Sequence, residues 1–182
     1  MSTTPPAIRV RPRREEDLVV LEQVLAAQQP TSRYPLRWPL PFPVREFIVR
    51  PDELVALVAE DAGRVVGHVS VTAVLPGELG ETWAAGAGRP IDELACLSVL
   101  FVDLAVRGRR IGGALMDAAE DWIFARGRTA VLDVVTANER PLAVYRHRGW
   151  SEIGHARPDW LPDTEPPVIL MAKSAPAVAP AT

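Results

Sequence analysis

Apolar and polar positions alternate along this chain in a way that predicts strands interleaved with helices. Residues 8–12 alternate apolar and charged side chains, which is typical of a half-exposed strand. Residues 54–60 and Arg64–Ala73 are apolar, β-branched runs, and Asp61-Ala62-Gly63 between them favours a hairpin turn. Residues 97–102 form a near-continuous apolar run, which predicts a central strand buried on both faces.

The clearest helix is predicted over residues 111–126. Ile111, Leu115 and Trp122 recur at helical spacing, and Gly127 follows as a stop signal. Further helices are predicted at 14–27, 45–49, around Trp83 and at 141–148, and further strands at 130–136, 150–157 and 168–173. This order of elements predicts a mixed α/β fold with one sheet and helices on both faces.

Two segments interrupt the periodic pattern. Residues 28–44 contain five prolines together with Tyr34 and Trp38, and we interpret them as a rigid aromatic loop. Residues 76–92 are rich in glycine and resemble an insertion between strands. We expect a flexible N-terminus at 1–7, one domain at 8–173 and a disordered Ala/Pro tail at 174–182.

The composition narrows the class of protein. The chain has 182 residues, 48% of them hydrophobic and 24% charged, so we expect a globular domain. A net charge of −3 provides no basic field for nucleic acid or an anionic membrane surface. One cysteine, Cys96, excludes an internal disulfide, and with three histidines it argues against a zinc site. No apolar run reaches the ~18 residues of a membrane helix, and the first residues lack a signal-peptide pattern, so we expect a cytoplasmic protein without a metal.

The first candidate site follows the predicted buried strand 97–102. There Arg107-Gly108-Arg109-Arg110-Ile111-Gly112-Gly113 leads directly into a helix. Small residues let the backbone approach a ligand closely, and the first N–H groups of a helix have no acceptor within it. Because the helix dipole adds positive potential, this junction favours binding of a phosphate group. The alternative is a tight connection with a solvated basic face.

The second candidate site follows the predicted strand 130–136. Asn138 can hydrogen-bond amide groups, and Tyr145 lies in the next predicted helix. A phenol with an ordinary pKa of ~10 is protonated at neutral pH and can donate a proton. Alternatively, Asn138 caps that helix and Tyr145 packs against its neighbours.

These two segments, in this order, resemble the motifs of the GNAT superfamily of acyl-CoA N-acyltransferases. The family's cofactor signature, Gln/Arg-x-x-Gly-x-Gly/Ala, is matched by residues 107–112, with Arg110 in place of the first glycine. The second element, Asn-x-x-Ala-x-x-x-Tyr-x-x-x-Gly-Phe, is matched by residues 138–150, with Pro141 for alanine and Trp150 for phenylalanine.

The resemblance implies a mixed, mostly antiparallel sheet of six or seven strands that binds acetyl-CoA and releases CoA. It implies that backbone groups of the central strand pair with the pantetheine arm and that loop N–H groups hold the pyrophosphate. Asn138 would contact the pantetheine, and Tyr145 would donate a proton to the departing thiolate. The implied cofactor-binding residues are Leu100, Phe101, Val102, Arg107, Gly108, Arg109, Arg110, Ile111, Gly112, Gly113, Asn138 and Tyr145.

Arg110 is the main departure from the family signature. If the replaced glycine requires a positive φ, arginine there costs ~1–2 kcal/mol. We expect instead that Arg110 has ordinary helical geometry, with its N–H still directed at the phosphate.

The implied chemistry is direct attack of a neutral amine on the thioester, without a covalent enzyme intermediate. We expect Cys96 to be a small buried hydrophobe rather than an acyl carrier. The sequence leaves the general base open, because a chain of water molecules could serve. The candidate side chains are Asp92, Glu93, Asp103, Glu81 and His68, and for His68 the alternative is a hydrogen-bonded core imidazole.

The acceptor is expected to be a primary amine of a small molecule or peptide. Tyr34, Trp38 and Trp83 are the candidates for a partly apolar wall of its pocket. The acyl length and the oligomeric state, including a homodimer, are left open. Two other functions remain as alternatives: a non-catalytic acyl-CoA-binding or sensing module, and a nucleotide-binding domain, against which the lack of a P-loop lysine argues.

Overall fold

Strands and helices alternate in the order that the sequence predicts. The computed structural model describes residues 8–106, 108–136 and 139–177. The strands are β1 (Arg9–Pro12), β2 (Glu53–Asp61), β3 (Arg64–Ala73), β4 (Leu94–Val102), β5 (Thr129–Val134), β6 (Ser151–Ala156) and β7 (Val168–Lys173). The helices are α1 (Leu18–Ser32), α2 (Val44–Ile48), α3 (Glu78–Ala87), α4 (Ile111–Phe124) and α5 (Glu139–His147).

The seven strands form a mixed sheet in the order β1-β2-β3-β4-β5-β7-β6. β4 and β5 run parallel over Leu94–Cys96, whereas the pairs β1–β2, β2–β3, β5–β7 and β6–β7 are antiparallel. The expected α/β class with a mixed, mostly antiparallel sheet of six or seven strands is therefore confirmed.

The chain divides into two compact units. The first contains Met1–Thr72 and Leu97–Asp121, and the second contains Ala73–Cys96 and Trp122–Thr182. The core of the first unit is apolar and comes from α1, α2 and the strands β2 to β4. Its buried members include Leu18, Leu21, Leu25, Ile48, Val58 and Phe101. The predicted termini, 1–7 and the end of the tail from 178 onward, lie outside the described residues.

The hairpin between β2 and β3 forms where the sequence predicts it. Asp61 pairs with Arg64, so Ala62 and Gly63 make a two-residue loop. Both residues have positive φ, 50° at Ala62 and 80° at Gly63. Positive φ at both positions is the geometry that follows the right-handed twist of the flanking strands.

Helix α1 is longer than its periodicity predicts. We expected it to end at residue 27, but it continues through Pro30 to Ser32. Proline removes one N–H donor, and in the last turn that loss does not stop the helix. Arg33 closes it in the left-handed region, with φ of 58° and its N–H donated to the Gln29 carbonyl.

Helix α3 packs closely on β6 within the second unit. At Gly86 the helix comes so near that a Cβ would lie 2.5 Å from the Ile153 carbonyl oxygen. The Trp83 side chain is buried and donates its indole N–H to the Leu132 carbonyl oxygen at 3.2 Å. The expected short helix around Trp83 is thus a ten-residue element anchored to the sheet.

We predict that Gly86→Ala destabilises the protein. The added methyl group overlaps a backbone carbonyl, so the free energy of unfolding should fall by about 1–3 kcal/mol, as measured by chemical denaturation. Gly154→Ala is the matched control, because its Cβ would lie an ordinary 3.7 Å from Thr82 Cγ2. Equal losses in the two variants would contradict this packing.

Candidate active site

The turn between β4 and α4 surrounds a cavity. Its volume is about 330 Å³, and it lies within the first unit. The residues that line it are Val102, Val106, Gly108, Arg110, Ile111 and Gly112. Five of these six belong to the segment that the sequence assigns to the cofactor. Val106 is the addition, and its apolar, buried side chain gave no signal of a binding role in the sequence.

Arg110 does not have the geometry that we expected. Its φ is 59°, in the left-handed region, and not the helical value. The expectation of ordinary helical geometry was therefore wrong. The position that the family signature gives to glycine does require a positive φ here, as Gly108 does with φ of 81°. An arginine held in this conformation is strained by ~1–2 kcal/mol.

Helix α4 begins immediately after Arg110. The Ala114 N–H donates to the Arg110 carbonyl oxygen at 3.0 Å, which closes the first turn. As in any helix, the N–H groups of the first turn have no acceptor within the helix, and the dipole adds positive potential at this end. Gly112 lines the cavity without a side chain, and a Cβ there would meet only Val102 Cγ2 at an ordinary 3.8 Å. This arrangement can accept a phosphate group.

Acidic residues hold two arginines near this turn. The Arg109 guanidinium forms an ion pair with Asp61 at the end of β2. Arg64, directly after the hairpin, forms another with Asp103 at 3.1 Å. The charge of Arg109 is therefore partly neutralised by Asp61, and Arg109 does not line the cavity.

Tyr145 lies in α5, in the second unit. Burial, together with smaller contributions from nearby Asp133 and Cys96, raises the pKa of Tyr145 to about 12. The phenol ring contacts Trp150 edge-on, with centroids 6.0 Å apart. The phenol is therefore fully protonated at neutral pH and can serve as a proton donor. Cys96 is buried and unbridged, in keeping with the expected packing role.

The middle of β4 contains a second backbone irregularity. Val99 has φ of 50°, which is rare for a β-branched residue. Its carbonyl oxygen lies 2.9 Å from Nδ1 of His68 on β3. Burial and the charge of Arg13 lower the pKa of His68 to about 4, so this imidazole is neutral at pH 7. The alternative raised for His68, a hydrogen-bonded core imidazole, matches its surroundings.

The remaining candidate bases differ in their surroundings. Asp103 accepts the Ala105 N–H at 2.9 Å and pairs with Arg64. Glu93 pairs with Arg89 at 3.2 Å, and Asp92 and Glu81 are exposed. None of these contacts selects one carboxylate, so the general base stays a prediction without an assigned residue.

The three candidates for the acceptor pocket occupy different places. Tyr34 packs against the core of the first unit, with its ring 5.8 Å from that of Phe47. Trp38 is half-buried in the segment between α1 and α2. Trp83, in the second unit, is buried and its indole N–H is taken by Leu132. Their role in acceptor binding stays a prediction.

Two predicted cofactor contacts, Arg107 and Asn138, lie outside the described residues. Within the described residues, no group of three or more histidine, cysteine, aspartate or glutamate side chains is placed to hold a metal ion. In that same part of the chain, no helix has both the length and the apolar character to cross a membrane.

Solved structures share this fold at low sequence identity. A GCN5-related N-acetyltransferase from Kribbella flavida is 22% identical, with a TM-score of 0.70 over 93% of this chain and 98% of that one. The PaiA N-acetyltransferase from Thermoplasma acidophilum, solved with coenzyme A, is 20% identical, with a TM-score of 0.64 over 93% and 99%. The ribosomal-protein-S18-alanine N-acetyltransferase from Escherichia coli is 19% identical, with a TM-score of 0.65 over 91% and 92%. Together with the sheet and the turn before α4, these likenesses define the fold as that of the N-acetyltransferases.

The sequence comparison identifies the family. The model of the acetyltransferase (GNAT) family matches residues 21–150, which is more than half of the chain. The chain belongs to the GNAT family and is an acyltransferase, as its two motifs indicated. No curated protein gives a significant sequence match.

We predict that the strain at Arg110 can be measured. Glycine relieves the left-handed backbone and alanine does not, so Arg110→Gly should unfold with a free energy about 1 kcal/mol higher than Arg110→Ala. Both variants lack the guanidinium, so the difference isolates the Cβ. If alanine proves as stable as glycine in urea titrations, the positive φ is not a source of strain.

Proposed function

We propose that this protein transfers an acetyl group from acetyl-CoA to a primary amine of a small molecule or peptide. The observation that carries the proposal is the cavity at the start of α4, lined by residues of the family's cofactor signature. A CoA-bound structure among the relatives supports a ligand of this type.

The pyrophosphate of CoA binds at the turn before α4 in this proposal. N–H groups of the segment from Gly108 to Gly113 donate to its oxygens, and the helix dipole adds attraction. Arg107 belongs to the same segment by its place in the signature. Because Gly108 and Gly112 carry no side chains, they leave the backbone open to the anion.

The pantetheine arm is bound by backbone groups of Leu100, Phe101 and Val102, in the manner of an added strand. Asn138 contributes an amide contact by its position in the second motif. Backbone recognition suits a flexible, amide-containing arm, because its carbonyl and N–H groups match those of a strand.

The chemistry needs an acid and an oxyanion donor. The neutral amine attacks the thioester carbonyl, the nitrogen then loses a proton to a carboxylate or to water, and the tetrahedral intermediate collapses by expelling the CoA thiolate. Backbone N–H groups of β4 stabilise the oxyanion, and Tyr145 protonates the thiolate. The phenol of Tyr145 carries its proton at neutral pH, as this role requires.

The class of acceptor follows from chemistry and from the relatives. Direct attack requires an uncharged nitrogen, so the acceptor must lose a proton to a carboxylate or to water before the bond forms. The names of the relatives include a ribosomal-protein alanine, which presents a primary amine. Tyr34, Trp38 and Trp83 remain our candidates for contacts with the acceptor.

We predict that Tyr145→Phe lowers kcat by about 100-fold while the KM for acetyl-CoA changes little, because only the proton donor is lost. Thiol release from acetyl-CoA, measured with each member of a panel of primary amines, gives both constants. His147→Gln is the control, since His147 is an exposed ionisable residue of the same helix and should leave kcat unchanged.

Two results would contradict the proposal. Full activity of Tyr145→Phe at saturating amine would remove the assigned acid. Tight binding of acetyl-CoA by calorimetry, without thiol release across the amine panel, would favour a binding or sensing module.

A further inference from the structure

The carbonyl group of Val99 is fixed by one side chain. His68 is fully buried, and its Nδ1 lies 2.9 Å from the Val99 oxygen. Its ring also stacks on Phe101, with centroids 5.5 Å apart and an interplanar angle of 28°. The imidazole therefore contacts two residues of β4, Val99 and Phe101.

The other ring nitrogen of His68 identifies the tautomer. Nε2 lies 3.0 Å from Nη1 of Arg13. A guanidinium can only donate, so Nε2 must accept and the ring proton must be on Nδ1. His68 is thus a fixed donor to the Val99 carbonyl, and neither nitrogen is free to take a proton from a substrate.

Arg13 is itself held by a carboxylate. Its Nη2 donates to Oε1 of Glu53 at 2.7 Å, and Nη1 donates to Oε2 at 3.0 Å. Both side chains are largely buried. The bidentate pair fixes the plane of the guanidinium, and the guanidinium fixes the imidazole.

The direction of the Val99 carbonyl determines the direction of the next amide. In a trans peptide the C=O and the following N–H point in opposite directions. Because the Val99 oxygen points to His68, the Leu100 N–H points away from it. Leu100 is the first of the residues assigned to the acyl-CoA arm.

We propose that His68, held by Arg13 and Glu53, is a positioning residue that aims the Leu100 N–H at the thioester carbonyl of bound acyl-CoA. This inference rests on the proposed function. The acyl carbonyl distinguishes acetyl-CoA from CoA, so His68 sets the preference for the acylated form and the donor to the developing oxyanion. In this proposal His68 is a positioning residue, and it is not the general base that the sequence left possible.

The test is a comparison of binding constants in the absence of any amine. Calorimetry gives the Kd of CoA and of acetyl-CoA, and the ratio of the two reports the carbonyl contact. If the Leu100 N–H adds one hydrogen bond to the acyl carbonyl, wild-type protein should bind acetyl-CoA about fivefold more tightly than CoA.

Two amide variants separate the two bonds of His68. His68→Asn places an N–H near the position of Nδ1 and keeps the donor to Val99, whereas His68→Gln places its amide near Nε2 and keeps only the partner of Arg13. We expect His68→Asn to retain the preference and His68→Gln to lose it, with CoA affinity changed by less than about threefold in both. Ser70→Ala is the control, since Ser70 also donates to a carbonyl of β4, that of Ser98, at 3.3 Å.

Glu53→Gln supplies a second variant that leaves the imidazole in place. Loss of the bidentate pair loosens Arg13, so the preference for acetyl-CoA should fall part of the way toward one. If His68→Gln and Glu53→Gln both keep the wild-type ratio, the positioning role is wrong while the CoA site stands. If wild-type protein binds neither CoA nor acetyl-CoA, the proposed function itself fails and the inference fails with it.

Discussion

In a regular strand inside a sheet, the backbone N–H and C=O groups are hydrogen-bonded to the neighbouring strands, so none of them is free to bind a ligand. Strand β4 departs from regular strand geometry at Val99, where a positive φ turns one peptide away from the usual hydrogen-bonding direction. A β-branched residue adopts that conformation only when the surrounding structure holds it there. The buried His68 supplies the holding contact, and the ion pair of Arg13 with Glu53 fixes the imidazole. The pairing of β4 with β5 covers Leu94–Cys96, and the proposed use of Leu100 to Val102 as a ligand-binding edge depends on the end of that pairing together with the turned peptide at Val99.

Burial shifts the pKa values of two neutral side chains, Tyr145 and His68, in opposite directions. It raises the pKa of Tyr145, because the charged form is the phenolate, and it lowers the pKa of His68, because the charged form is the imidazolium. Both groups therefore keep a single protonation state near neutral pH. Tyr145 keeps its phenol proton, and the neutral His68 keeps its hydrogen bond to the Val99 carbonyl.

Local sequence patterns predicted an element correctly where a single feature, such as an apolar run or a turn sequence, determined it. β3 and β7 have the predicted bounds, and the hairpin at Ala62 and Gly63 has the predicted turn. The site turn was predicted from small residues between a buried strand and a helix, and the cavity lies there. Helix α1 continues past its predicted end at residue 27, because Pro30 lies in its last turn and does not end it there.

Other features depend on contacts between distant segments. His68, Arg13 and Glu53 come from three parts of the chain, separated by 55 and 40 residues, so no local pattern connects them. The φ of Arg110 is likewise set by the path from β4 to α4, and the residue type by itself suggested a helical value. Small residues between a buried strand and a helix predicted the segment that lines the cavity, but its strained backbone is visible only in the fold.

The proposed function requires that the turn before α4 binds the pyrophosphate of CoA through its backbone. Titration of isotope-labelled protein with CoA, followed by amide chemical shifts, tests this directly. The largest shifts are expected at Gly108, Gly112 and Gly113, with equal apparent affinity at each. Saturable binding that leaves those three amides unchanged and moves signals elsewhere would contradict the account.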